Sequence, residues 1–343
     1  MSVVCICLSP GLQRSVCIAA LSLGEVNRLQ NVFVDIGGKG VNVCRVLQRI
    51  GVAACCLAQG GDNADELMAL ARSEGLALRL IPSSGRLRTC TTIVEAPDAS
   101  GRRVTELVEP ASTVDAACVA SMSETFREML PAASALVIAG SMAPGFPAGF
   151  QTELAKLAAE AGVPVLLDLQ GAPLRDALGA APALVKINLP EFVATFLGGR
   201  FSGGEQSGEI AAPELSVALL DAVAEVTRAH APPFVLTRGA GSIILARAGE
   251  LRVLPVRPLA GHEILSPIGS GDAFLAGLLA ALLAGSPKQG RTARNPFSLD
   301  AIAAATGFAT DCAQSNARTL RPGLLDDSFA PCGFRTEEEC QDR

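Results

Sequence analysis

Ser266-Pro267-Ile268-Gly269-Ser270-Gly271-Asp272-Ala273-Phe274-Leu275-Ala276-Gly277 sets three small residues and a carboxylate at the start of an apolar helix. Residues 275–283 have the composition of a buried helix, so Gly269, Ser270 and Gly271 fall at or just before its N-terminus. The first amides of a helix lack internal partners, and the aligned peptide dipoles favour negative charge beside them. With no bulky side chains in the way, an anion can approach those amides closely. Asp272 is out of place in a loop that only binds phosphate. It fits a group that takes a proton from an acceptor hydroxyl while the amides stabilise a phosphoryl group in transit. An Asp that merely caps a helix start accounts for the same four residues.

Outward from this turn, the chain alternates buried strands with helices. Residues 2–8 form a continuous apolar run rich in Val and Ile, as expected of a strand covered on both faces, and 52–57, 135–139, 163–167 and 234–237 repeat that character. Helical patterns lie at 41–50, 62–74, 114–130, 148–161 and 213–230. This order predicts βαβ units, hence an α/β fold with a mostly parallel central sheet. Residues 16–34 and 89–108 break the alternation and read as extended, the second a hairpin turning at 98–101. They predict a small second sheet acting as a lid over the strand ends. Its exposed edges suit it to dimer contact. Residues 198–208 read as a Gly/Ser-rich loop, and the tail from 324 turns polar and acidic at Glu337-Glu338-Glu339.

Composition narrows the function classes. Trp and Tyr are absent and the net charge is −6, which argues against stacking platforms or a broad phosphate-backbone footprint for nucleic acid. The eleven cysteines contain no C-x-x-C, and the chain has only two histidines, His230 and His262, so zinc is not expected. Free thiols in a reducing cytoplasm are the economical interpretation. The N-terminus has no basic segment ahead of its short apolar run, and the apolar stretch 273–284 is too short to span a bilayer, so no membrane partner is expected.

Other small-residue turns fall where predicted strands end. Gly37-Gly38-Lys39-Gly40-Val41-Asn42 lacks P-loop spacing but aims an amine and an amide from a helix start, which suits a polyol or a sugar phosphate. In Lys186-Ile187-Asn188-Leu189-Pro190-Glu191, oxygens three residues apart could hold Mg²⁺ through waters, or could simply cap a helix. Gly140-Ser141 and Thr237-Arg238-Gly239-Ala240-Gly241 follow further strands, and each is equally readable as a plain turn. Their shared position at the rim where open α/β sheets bind ligands carries more weight than any one of them.

Taken together, these motifs resemble the ribokinase-like (PfkB) carbohydrate kinases, and most closely their 1-phosphofructokinase and tagatose-6-phosphate kinase branch. The matches run in order from residue 3 to 323 and include Gly37 to Val43, Arg88-Thr89-Cys90, Thr105-Glu106-Leu107, Gly140-Ser141, Lys186, Asn188 with Glu191, the Thr237-Gly239-Gly241 turn and Ser266 to Gly277. The resemblance implies a three-layer α/β/α core (1–9, 35–87 and 110–323), a β-lid (10–34 and 88–109), and a C-terminal tail (324–343). It also implies an ATP- and Mg²⁺-dependent kinase acting on a sugar phosphate, a homodimer through the lid. On that basis Gly269, Ser270 and Gly271 are the expected anion hole and Asp272 the base. Lys39, Arg88, Ser141 and Arg28 would hold the substrate phosphate, and Gly38 and Asn42 the sugar. Asn188 and Glu191 match the pair associated with Mg²⁺ and phosphates, while Lys186, Thr237, Gly239, Gly241 and Asn316 match the nucleotide side.

One position departs from that pattern. The first strand in this branch ends in Asn-Pro-Ala-x-Asp, whose carboxylate accepts hydrogen bonds from sugar hydroxyls; here it reads Ser9-Pro10-Gly11-Leu12-Gln13. An amide both donates and accepts and carries no charge. A kinase for an unphosphorylated sugar or a nucleoside, or a non-catalytic sugar- or nucleotide-sensing protein on the same fold, therefore stands as an alternative at this stage.

Overall fold

The computed structural model describes residues 1–97, 102–198, 201, 215–285 and 296–330. The strands are β1 (Ser2–Cys7), β2 (Gly11–Ile18), β3 (Asn31–Gly37), β4 (Ala54–Gly60), β5 (Leu78–Pro82), β6 (Thr89–Glu95), β7 (Val104–Val108), β8 (Ala133–Ala139), β9 (Val165–Asp168), β10 (Leu184–Asn188), β11 (Phe234–Thr237), β12 (Ile243–Arg247) and β13 (Glu250–Leu254). The α-helices are α1 (Lys39–Arg49), α2 (Ala64–Glu74), α3 (Ala116–Met129), α4 (Phe150–Glu160), α5 (Gly171–Ala177), α6 (Leu189–Phe192), α7 (Val217–Arg228), α8 (Ser270–Ala284) and α9 (Leu299–Ala317).

Nine strands form the main sheet in the order β13-β12-β11-β10-β9-β8-β1-β4-β5. Pairing is parallel from β5 to β11, and the β11–β12 and β12–β13 pairs at one edge are antiparallel. Alternate residues of β1 explain the three layers. Val3, Cys5 and Cys7 enter one core with α1, α8 and α9, while Val4 and Ile6, with Leu8 beyond them, enter a second core with α3 and α4 on the opposite face. A strand buried on both faces needs an unbroken apolar run, and residues 2–8 supply one. α8 is apolar nearly all round because it lies inside the helical layer, against α1 and α9.

The second sheet has the order β3-β2-β6-β7, with β2 and β6 parallel and the outer pairs antiparallel. It is built from two excursions: β2 and β3 leave the core after β1 and return before α1, and β6 and β7 leave it after β5 and return before α3. Its extent differs from the sequence expectation. β3 continues to Gly37 because Leu12 and Gln13 keep pairing with Ile36 and Asp35, whereas the lid was expected to end at 34. Residues 19–30 form a connection rather than continuous strand. The expected turn at 98–101, the start of the 213–230 helix, all but residues 198 and 201 of the 198–208 loop, and the acidic triplet lie outside the described residues.

Five elements escaped the sequence reading: β5, α5, the two strands of the β12–β13 hairpin and the nineteen-residue α9. The α9 sequence is dense in Ala with Gly and Thr between, so apolar periodicity does not mark it. Its small residues serve close packing. A Cβ added to Gly277 of α8 would lie 2.8 Å from Cys312 Sγ and 3.0 Å from Ala309 Cα of α9. Gly277→Ala should therefore cost about 1–3 kcal/mol by overpacking. Gly307→Ala on α9, with nothing within 4 Å of the new methyl, should be neutral or stabilising by up to ~1 kcal/mol. Urea unfolding of the two variants checks this contrast.

Candidate active site

The site gathers at the C-terminal ends of the parallel strands. Its centre is Asp168, the last residue of β9, which is wholly buried. Lys39 Nζ, from the first turn of α1, lies 3.0 Å from its Oδ1, and Lys186 Nζ, from β10, lies 2.8 Å from its Oδ2. Lys39 Nζ also stands 3.8 Å from Glu191 Oε1. Burial alone would raise the Asp168 pKa, but Lys186 and Lys39 outweigh it and hold the carboxyl down at about 2. Burial likewise works against the Lys39 charge, and Asp168, Glu191 and Asp272 together reverse it, keeping the ammonium above its ordinary range.

Asp272 sits in the first turn of α8, 6% exposed, and its Oδ2 accepts a hydrogen bond of 2.8 Å from Asn42 Nδ2. Burial pushes its pKa up to about 6, reinforced by the Asp168 charge and opposed by Lys39, Lys186 and the Asn42 hydrogen bond. Two carboxylates in one site thus have separated acidities. One stays ionised between two cations, and the other titrates near neutrality, as a general base requires. Sequence reasoning missed Asp168. Its one signal was an acid closing the apolar strand Val165-Leu166-Leu167.

The turn before α8 is built for close approach. Gly269 has φ +85°, and a Cβ there would lie 2.7 Å from Gly323 N and 2.9 Å from Pro322 Cα. The amides of Ser270 and Asp272 donate to Pro267 O and Gly269 O, each at 3.1 Å. The Gly269 and Gly271 amides have no such partner among the described residues. Lys186 Nζ stands 2.9 Å from where a Gly271 Cβ would sit, so a cation borders the free amides. What this turn offers an anion is two glycine amides and an ammonium, without the Ser270 amide that the sequence expectation included. The Ser270 hydroxyl instead donates to Asn316 Oδ1 at 3.4 Å. Asn316 itself is fully buried and donates to Leu324 O at 2.9 Å, so it braces the turn from beneath.

The remaining expected residues fall on two sides. Asn188 and Thr237 are register partners at the ends of β10 and β11, and Gly239 (exposed) and Gly241 follow in the next turn. Asn188 Oδ1 accepts from Glu191 N at 2.7 Å and Glu191 Oε2 accepts from Asn188 N at 3.3 Å, a capping box at the start of α6. No group of three or more His, Cys, Asp or Glu able to hold a metal occurs among the described residues. Glu191 Oε1, loosely paired with Lys39, is the oxygen this pair offers; a hard cation would need water and phosphate oxygens besides.

On the lid side, Gln13 is buried on β2, opposite Asp35 of β3. Arg88 Nη2 donates to Ser9 O at 3.1 Å, and Gly38 (φ +128°) presses on Cys7. Ser141 is exposed just past β8, after Gly140. Arg28 is exposed on the 19–30 connection, where no contact ties it to these groups. Arg45 completes this side. Its Nη1 donates to Asn42 Oδ1 (3.1 Å), its Nη2 to Ile36 O (2.9 Å) and its Nε to Glu74 Oε2 (2.7 Å). With Asn42 Oδ1 so occupied, its Nδ2 must face Asp272.

Residues 16–290 match the model of the pfkB family carbohydrate kinases. A 1-phosphofructokinase of Rhodobacter capsulatus is 33% identical over 303 residues, covering 86% of this chain and 88% of that protein. The phosphofructokinase-2 of Escherichia coli, solved with potassium, superposes with a TM-score of 0.76 at 18% identity, covering 94% of this chain and 95% of that one. The ribokinase of Arabidopsis thaliana, solved with ribose and ATP, gives 0.65 at 16% identity over 94% of each chain. The large parallel sheet with a small second sheet is the ribokinase-like fold.

Asp168→Asn should cost about 3–5 kcal/mol, because it leaves the buried Lys186 ammonium, and the part-exposed Lys39 beside it, without their carboxylate. The wild-type contribution is complete above the unfolded Asp value near 3.8 and is lost as pH falls toward the folded value of about 2. Urea midpoints of the two proteins should therefore differ fully at pH 7 and converge below pH ~4.

Proposed function

Since the chain belongs to the pfkB family, it is a carbohydrate kinase, and we propose that it transfers the γ-phosphoryl group of ATP to a hydroxyl of a ketohexose phosphate such as fructose 1-phosphate or tagatose 6-phosphate. The observation that carries this reading is Asp272: a buried carboxylate with its pKa near 6, beside two free glycine amides and the Lys186 ammonium.

Asp272 takes the proton of the acceptor hydroxyl as that oxygen attacks in line. The Gly269 and Gly271 amides and Lys186 stabilise the charge on the transferring group. Lys39, tied to Asp168, gives a phosphate a fixed cation rather than a mobile one. Gly38 and Asn42 meet the sugar, and Arg88, Ser141 and Arg28 bind its phosphate, an assignment that rests on the family pattern. Thr237, Gly239 and Gly241 border the nucleotide, and Asn316 supports it through the turn. Glu191 would hold Mg²⁺ through water, with Asn188 fixing Glu191 in place through the capping box. The ion supplies charge neutralisation for the ATP phosphates.

A homodimer through the lid is supported by the apolar residues that sheet exposes, Val32, Val34, Leu107 and Val108. A reducing cytoplasm is supported by the nine free cysteines among the described residues. No described helix is long and apolar enough to cross a membrane.

Asp272→Asn should lower kcat by about 10²- to 10⁴-fold while leaving ATP affinity unchanged; near-normal turnover would refute the role of base. In the wild type, kcat should fall as pH drops below about 6, where Asp272 becomes protonated. Asn42→Ala removes a hydrogen bond that favours the ionised form, so it should move that midpoint upward. The substrates' own phosphates titrate identically with both enzymes, so the displacement between the two profiles reports Asp272.

A further inference from the structure

Gln13 stands where the family pattern has a carboxylate, and its surroundings decide which face of the amide the substrate meets. Gln13 Nε2 donates to Thr92 Oγ1 at 2.8 Å and to the Arg14 carbonyl at 3.4 Å. The Thr92 hydroxyl donates to Glu106 Oε1 at 3.3 Å. A hydroxyl has one proton, and a carboxylate only accepts, so Thr92 can meet Gln13 only as an acceptor. That forces the amide nitrogen toward Thr92 and spends both of its N–H groups inside the lid. Gln13 Oε1 is left without a partner among the described residues. It lies 3.6 Å from where a Cβ of Gly37 would sit, over the entry to the Gly38-Lys39-Gly40 turn.

We propose that the Glu106–Thr92–Gln13 chain fixes the amide so that only its carbonyl oxygen faces the acceptor site, making Thr92 and Glu106 positioning residues for recognition of a sugar hydroxyl. This rests on the sugar-phosphate kinase reading above. The amide then does what a carboxylate does there, accepting a hydrogen bond from a hydroxyl, without the charge.

The register supplies the reason for a neutral group. Gln13 is directly opposite Asp35, whose carboxylate is held by Arg321 Nε at 3.0–3.1 Å and by Arg321 Nη2. Glu106 lies one hydroxyl away. An Asp at position 13 would add a third carboxylate to this patch, opposite a like charge across the strands.

The test is a double-mutant cycle read in steady-state kinetics, with fructose 1-phosphate, fructose 6-phosphate and tagatose 6-phosphate as acceptors. Gln13→Leu removes the acceptor oxygen and should raise KM for the preferred sugar phosphate about tenfold. Thr92→Val frees the amide to turn and should raise it about three- to tenfold, with kcat and KM for ATP within about twofold of wild type. Thr92→Ser should restore it. Thr92→Val on top of Gln13→Leu should add nothing. Thr92→Ala deletes the same hydroxyl and replaces Thr92→Val if thermal melting shows that variant unfolded. An unchanged KM in the Thr92 variants, or an equal rise in the Gln13→Leu background, overturns the proposal while leaving the kinase reading intact. Wild-type protein that phosphorylates none of the three overturns both.

Discussion

A single buried carboxylate holds this site together. Asp168 is shut off from water at the end of β9, and neither Lys39 nor Lys186 could be kept at hydrogen-bond distance in that position without it. The desolvation cost of the buried Asp168 and Lys186 charges is offset because both carboxylate oxygens are taken by ammonium groups, Lys39 reaching in from a part-exposed position. The consequences extend outward. Lys186 lies under Gly271, Lys39 reaches toward Glu191, and the Asp168 charge helps to lift the Asp272 pKa toward neutrality. A stability device and an acidity-tuning device are therefore the same interaction.

The second organising feature is the tie between the lid and the turn before α8. Arg45 binds the Ile36 carbonyl at the end of β3, the Asn42 amide and the Pro322 carbonyl. Arg321, one residue before Pro322, binds Asp35 of the same strand. Gly323 packs on Asn42 and against Gly269. The lid strand, helix α1 and the turn before α8 thus share one hydrogen-bonded junction, with Asp272 held through Asn42.

Much of the fold could be read from the chain because its strands are buried on both faces and its helices are marked by small-residue turns. The runs around Val3–Cys7 and Phe234–Thr237 have no other physical use, and Gly269-Ser270-Gly271-Asp272 pairs close approach with a carboxylate. The missed parts share a different cause. Asp168 is one acid behind three apolar residues, and its meaning appears only when lysines 129 and 18 positions away arrive beside it. α9 has an Ala-rich sequence whose packing partner, α8, had to be known first. Asn316 carried a family association with nucleotide, yet its amide braces the turn from a fully buried position. Gln13 was legible as an oddity; the orientation of its amide depends on Thr92 and Glu106 from two other strands.

Asp272, the proposed base, ionises near pH 6 beside Asp168, which stays ionised down to about pH 2. Rapid-quench single-turnover measurement with [γ-³²P]ATP and a ketohexose phosphate, from pH 5 to 8, tests the role of Asp272 most directly. Label should pass to the sugar at a rate that climbs through one ionisation near pH 6, and that ionisation should vanish with Asp272→Asn. Label that never reaches a sugar, or a transfer rate whose pH dependence survives loss of the Asp272 carboxylate, would contradict it.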